Sequence, residues 1–288
     1  QAVAVIGSRS EERTVIDAPA PIDVLTSVDI RASGRTETAQ MIQALAPSFN
    51  FPRMSIGDGT DHVRPATLRG LGADQVLVLV NGKRRHTGAL VNVNGSIGRG
   101  QAAVDLNAIP ASMIDRIEVL RDGASAQYGS DAIAGVINLV LKSTAENEVQ
   151  VTGGGNMTNF NPPRQNAVAV VDKTLWDGKV FQGHATWSAP LQTGYLTLGG
   201  ELRDRGWTNR SLPDTRTQYL AGDPRNADPS RTNQINHRLG DAWLHDVTGF
   251  FNFGRPLDAV NGEVYAFGGF GKRAGEAAGF WRRALDGR

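Results

Sequence analysis

The chain has no cysteine in 288 residues, which excludes a disulfide scaffold, a thiolate zinc site and dithiol redox chemistry. It also lacks an excess of either charge. Thirty basic residues face 29 acidic ones, for a net +1, which argues against a dedicated nucleic-acid binder. No apolar run approaches the roughly 18 to 20 residues that a membrane helix requires. Any membrane crossing must therefore be made by strands closed into a barrel. The five histidines, His62, His86, His184, His237 and His245, show no metal-ligand spacing and read as surface or lumen side chains. No basic stretch leading into an apolar one opens the chain, so its start reads as a mature or excised end and not as a secretion signal.

Catalytic patterns are equally scarce. Gly70-Leu71-Gly72 and Gly95 to Gly100 contain glycines, but neither sits between a strand and a helix with phosphate-loop spacing. Gly123 to Gln127 lacks the second glycine of a nucleophile elbow. No enzyme, catalytic residue, metal or cofactor is expected.

What is present is strand and turn. The 34 glycines suit β-structure with many turns, and Asp105 to Lys142 is the most informative stretch. Pro110 opens a short helical turn, and Ile117 to Leu120 forms a brief strand. Asp122-Gly123 turns the chain, Ala124 to Tyr128 forms one short helix closed by Gly129, and Gly135 launches an apolar run to Leu141. Upstream, Ile22 to Leu25 reads as a strand. Thr36 to Leu45 reads as a helix with Met41, Ile42 and Leu45 on one face, ended by Pro47. Val63 to Leu68 forms a strand. Gln75 to Val80 is apolar enough to be buried on both faces, and Asn81-Gly82 is a hairpin turn. The loops 48–62 and 86–101 between these elements are expected at the surface.

At this point a resemblance becomes specific. Arg116 to Lys142, RIEVLRDGASAQYGSDAIAGVINLVLK, resembles the run that closes the plug domain of TonB-dependent outer-membrane receptors. Leu68 to Arg85, LRGLGADQVLVLVNGKRR, is similar to the same family's LVLVNG signature. The resemblance implies an α/β plug domain followed by antiparallel strands of a transmembrane β-barrel. It places residues 1–21 as a TonB-box segment and linker, 22–143 as plug and 144–288 as early barrel.

The resemblance further implies that Val3, Ala4, Val5 and Ile6 form the TonB box. A TonB-type periplasmic energy transducer would capture this extended apolar peptide by strand addition. Read from the residues alone, the same segment is equally a frayed terminus or a first strand. The plug loops would face an extracellular ligand, and Arg53, His62, Arg84, Arg85 and His86 are the ligand-binding candidates. Arginine's planar donor fork suits an anionic solute such as an iron chelate. The alternative is that Lys83, Arg84 and Arg85 pair with carboxylates on the barrel's inner wall. The other implied partner is outer-membrane lipid, in a Gram-negative bacterium.

The second half alternates. Phe181, Ala185, Trp187 and Ala189 share one parity, and Gln182, His184, Thr186 and Ser188 the other. After a short turn at 192–194, Leu196, Leu198 and Leu202 lie opposite Thr197, Glu201 and Arg203. Amphipathic strands of about ten residues joined by a tight turn are what a membrane barrel hairpin requires. A soluble sandwich shows the same period; Trp187, Tyr195 and Trp207 near strand ends favour the barrel's aromatic girdle. Residues 208–245 form a long polar loop of extracellular type. Strands follow at Val247 to Phe253 and Gly262 to Lys272. Five or six strands cannot close a barrel, so the sequence is expected to be the front portion of a receptor with roughly 22 strands.

The expected function is active uptake of a scarce solute, a siderophore-type chelate, cobalamin or similar. A plug-type binding or signalling module without transport and a soluble β-rich binding protein are the alternatives. No extra signalling domain is visible before Ile22.

Overall fold

The structure is a computed structural model and describes residues 3–4, 6, 13–14, 21–57, 59–63, 65–93, 98–144, 147–160, 173–232 and 234–286. Two short strands, β1 (Val3–Ala4) and β2 (Arg13–Thr14), pair antiparallel. Strand β3 (Ile22–Thr26) runs into α1 (Ser27–Ala32), a helix the sequence reading missed. Its start is fixed by a capping box, in which the Asp29 amide donates to Thr26 Oγ1 and the Thr26 amide to Asp29 Oδ2. Helix α2 (Thr38–Leu45) buries Ala39, Met41 and Ile42, and ends at an extended Ala46 just before Pro47. Strands β4 (Phe49–Asn50) and β5 (Thr67–Leu68) pair briefly. The strand expected from Val63 is thus only two residues long. Two turns of chain occupy 59–63, and Pro65 has no amide to give a ladder.

The first large sheet follows. It consists of β6 (Val76–Val80), β7 (Lys83–Arg84), β8 (Ile114–Leu120) and β9 (Gly135–Leu141), joined by β3 in the order β3-β8-β9-β6-β7. Strands β6 and β9 run parallel and the other pairs antiparallel. Every residue of β6 is buried. Val76, Val78 and Val80 enter the larger core with α2, while Leu77 and Leu79 pack with Ile6, Ile22, Leu120 and Val136 on the opposite face. That two-sided burial is why β6 reads as an unbroken apolar run.

The β6–β7 turn has φ of 48° at Asn81 and 73° at Gly82, the positive pair that a tight hairpin demands. Between β8 and β9 lies α3 (Ser125–Tyr128). Gly135 then begins β9 at φ 143°, where a Cβ would fall 2.2 Å from the Leu120 carbonyl oxygen, so no other residue fits.

One polar strip crosses this apolar sheet. Glu118 and Asn138 are both fully buried. Asn138 Nδ2 donates to Glu118 Oε2 at 3.1 Å, Arg116 Nε donates to Glu118 Oε1 at 3.0 Å, and Asn138 Oδ1 accepts from the Gly82 amide at 3.0 Å. The strip ties the β6–β7 turn to β9 and β8.

The second sheet is a meander of five antiparallel strands. They are β10 (Glu148–Phe160), β11 (Lys173–Pro190), β12 (Tyr195–Arg205), β13 (Trp243–Leu257) and β14 (Gly262–Glu276). Strand β10 went unforeseen because three consecutive glycines, 153–155, break its alternation. Strands β11 to β14 are longer than periodicity alone marks out. The face parities of β11 and β12 are those expected. Gln182, Thr186, Thr197, Glu201 and Arg203 are buried against the first sheet's domain, and Phe181, Trp187, Leu198 and Leu202 face outward. Tyr195 is the correction. It shares the inward parity of Thr197 and lies over Gly254, so it is not part of an outward girdle.

Short connections, 191–194 and 258–261, close one end of the sheet. The 206–242 connection lies at the other, where β10 ends and β11 begins.

Replacing Asn138 with Leu removes two buried hydrogen bonds, a cost of roughly 1–3 kcal/mol. Amide exchange across β8 and β9, measured in the full-length protein, should quicken by roughly ten- to a hundredfold.

Candidate functional site

The inner face of β11 to β14 carries charge where a soluble sandwich would carry hydrocarbon. Arg203, with a side chain only 2% exposed, pairs with Asp246 on the neighbouring strand and lies 3.8 Å from Glu201. Its Nη1 donates to the Thr36 carbonyl at 2.9 Å, and Gln182 Nε2 donates to the same oxygen at 3.0 Å. Arg205 pairs with Glu37, whose second carboxylate oxygen accepts from Asn107 Nδ2 at 3.1 Å. Arg273 donates through Nε to Asp246 at 2.5 Å and through Nη1 to Asp105 at 2.8 Å. Three guanidinium groups of the long strands thus meet Glu37 and Asp105 of the first domain and Glu201 and Asp246 of their own sheet.

Such a cluster binds without contributing much net stability. Desolvating ions costs several kcal/mol each, and good pairing roughly offsets it. The chemical consequence is an interface specific in register that exposes little hydrocarbon when it opens. Apolar side chains also cross it. Phe250 and Phe267 reach into the larger core. Met113 rests on Gly199, where an added Cβ would lie 2.4 Å from its Sδ.

The two ends of the interface differ. At the end with short connections, Asn81 Nδ2 donates to Asn252 Oδ1 at 3.2 Å, and the Lys83 ammonium lies 5.2 Å from the Tyr265 ring centre. At the end with the long connection, Arg53 pairs with Asp241 at 2.9 Å. Beside it, Ser55 Oγ donates to the Gly240 carbonyl and accepts from its amide, both at 3.1 Å. The 206–242 segment is thereby stitched to the loop around residue 55. That segment is itself folded by local motifs: Asp214, Asp223 and Asp228 each accept the amide two residues on. Arg225 holds the Asp223 carboxyl down to about 2.

The candidate ligand residues fall into separate places. Arg53 and His62 lie towards the long-connection end; the His62 imidazole is against Gly275 near the end of β14, and its carbonyl accepts from Arg273. Arg84 faces the other way. It pairs with Asp131 and donates to the Tyr128 carbonyl within its own domain, because the hairpin turn at Asn81-Gly82 points β7 at α3. Arg85 is half-buried, its charge facing Asp105, and His86 is exposed. Of the four amino-terminal candidates, Val3 and Ala4 lie in β1, Ile6 is buried under the first sheet, and Val5 is outside the described residues.

Arg205, Glu37, Asp105, Asp246 and Arg273 were not singled out from sequence. Inward parity alongside Thr197 marked Arg203, and the same parity carried two residues further reaches Arg205; nothing local marked Glu37 or Asp105. Among the described residues no group of three or more His, Cys, Asp or Glu is placed to hold a metal ion. No helix there is long and apolar enough to cross a membrane.

A mixed sheet domain seated by buried charge on one face of a meander of long amphipathic strands defines a plugged β-barrel type of protein. Residues 14–136 match the TonB-dependent receptor plug domain, and with that domain the chain belongs to the TonB-dependent receptors. It is 32% identical to the ferric enterobactin receptor PirA of Pseudomonas aeruginosa across 79% of this chain and 27% of that protein. It is 28% identical to the vitamin B12 transporter BtuB of Vibrio cholerae across 54% of this chain and 23% of that one. In fold it is similar to a crystal structure of the ferric enterobactin receptor PfeA, a Pseudomonas aeruginosa protein. There the TM-score is 0.57 and the identity 20%, with 90% of this chain and 34% of that chain covered. The chain thus spans about a quarter of the length of the curated relatives named here.

Breaking the Glu37–Arg205 pair by Glu37→Ala should loosen plug docking by on the order of 3–5 kcal/mol. The urea concentration at which protease cuts the plug of the full-length receptor reads that loss. The double variant Glu37→Met with Arg205→Met should recover most of it.

Proposed function

We propose that this chain is the plug and leading wall of a receptor for TonB-dependent active uptake across the outer membrane of a Gram-negative bacterium. In this reading residues 1–21 are box and linker, 22–143 the plug and 144–288 the first part of the barrel. The observation that carries it is the two-sided second sheet. One face is bound to the plug by ion pairs, and the other presents Phe181, Trp187, Leu198, Leu202, Val247 and Phe251 to the outside. Such a face suits outer-membrane lipid. Strands β10 and β14 each pair on one side only. Lipid does not tolerate an open edge, so further strands of a longer receptor close the wall.

A scarce solute, of the siderophore-chelate or cobalamin kind at family level, binds at the long-connection end. The contacts from Arg53 and Ser55 to residues 240–241 carry its arrival to the plug. The energy transducer captures Val3 to Ile6 by strand addition and pulls. An interface held by ion pairs and hydrogen bonds yields to that pull because water replaces its partners. The work comes from the proton gradient, and no nucleotide is consumed.

Deleting residues 2–6 from the full-length receptor should leave ligand affinity unchanged and abolish uptake by cells. Unchanged uptake would remove the box from this segment.

A further inference from the structure

The long-connection end holds a cleft of about 530 Å³, within the usual range for small-molecule sites. Leu212, Pro213 and Leu239 form its wall, Phe280 and Trp281 its lip, and Ile56 of the plug its floor. The indole of Trp281 is held in place, its Nε1 donating at 2.9 Å to the buried Gln218. The rings at the lip are open to solvent, Phe280 at 61% and Trp281 at 45%.

Two arginines line the cleft, and both are already neutralised. Arg210 gives Nη1 and Nη2 to the Asp177 carboxylate at 2.5 and 2.9 Å. Arg216 gives Nε and Nη2 to Asp214 at 2.7 Å each. Arg216 holds the Asp214 carboxyl far below the usual carboxylate range, so both partners stay charged and cancel. The pattern covers the whole 206–242 connection. Arg225 pairs with Asp223, Arg231 with Asp228, Arg238 with Glu276, and Asp241 with Arg53. A polyanion entering here would have to displace a carboxylate for each arginine it gained. His237 is the one titratable lining group without an ionic partner among the described residues.

We propose that this cleft binds an uncharged planar aromatic or heteroaromatic solute, stacked on Trp281 and Phe280 and hydrogen-bonded by His237. The inference rests on the uptake reading and gives this cleft a solute class of its own, apart from the siderophore or cobalamin kind. Cancelled charge leaves stacking and apolar contact as the attraction. The occupant also meets the plug. Ile56 holds φ at 60°, strained for a β-branched residue, and lies beside the Arg53 and Ser55 ties. A ligand packed on it bears on the segment that links plug to loop.

The test uses purified full-length receptor in detergent with two probes, riboflavin as the uncharged heteroaromatic and ferric tris-catecholate as the polyanion. Riboflavin fluorescence should be quenched saturably. Its Kd should rise about tenfold in Trp281→Ala, as expected for a lost stacking contact, and recover in Trp281→Phe. Raising NaCl to about 0.5 M should change that Kd less than about twofold. Salt-sensitive binding of the tris-catecholate at this cleft would overturn the proposal, as would riboflavin binding indifferent to Trp281 or no riboflavin binding at all. Binding needs neither transducer nor proton gradient. Riboflavin binding beside uptake that survives loss of residues 2–6 would overturn the box mechanism and leave the cleft standing.

Discussion

Burial of Arg203 and Arg205 between two sheets, with the partly buried Arg273 beside them, is the constraint on which the rest of the molecule turns. A guanidinium taken out of water must meet carboxylates and carbonyls at fixed places. Glu37 at the start of α2, Asp105 ahead of β8, the Thr36 carbonyl and Asp246 on β13 occupy those places. Docking is therefore determined by register. A plug shifted along the wall by one residue would leave buried charge unmatched. Because the cluster's attraction is nearly cancelled by its desolvation cost, the same contacts that define the seat do not make it permanent.

That balance distinguishes the plug's two kinds of cohesion. Inside the first sheet, apolar packing on both faces of β6 and the Glu118–Asn138 strip hold the domain together. Between plug and wall, buried ion pairs stand beside hydrocarbon contacts such as those of Met113 and Phe250. Water can thus enter the outer interface but not the inner core. The long connection adds a third behaviour. Asp214, Asp223 and Asp228 pair with nearby arginines, while Arg210, Arg238 and Asp241 pair with Asp177, Glu276 and Arg53 outside the connection, so it presents a neutral rim.

Much of this was legible in the chain. The LVLVNG run, the Asn81-Gly82 turn and the Gly135 launch are local signals, and each produced the element expected of it. Parity placed Gln182, Thr186, Glu201 and Arg203 inward, because a strand's side chains alternate whatever lies beyond. Where alternation failed, in the three glycines of β10, the strand went unseen. Tyr195 was read by its residue type when its parity pointed inward. Arg84 was grouped with Arg53 and His62 as a cation on a loop, yet a two-residue hairpin turned it to the opposite end.

The sequence by itself determined the class of most elements, α1 and β10 excepted, and through two long motifs the family to which the plug belongs, because those depend on neighbours within a few residues. Only the tertiary structure decided which charges are spent. Arg205 and Glu37 are 168 residues apart, as are Arg273 and Asp105. Arg210 finds its carboxylate 33 residues back, on another strand. Whether an arginine is a free hook for an anion or half of a closed pair depends on distance in space, which no local pattern in the chain encodes.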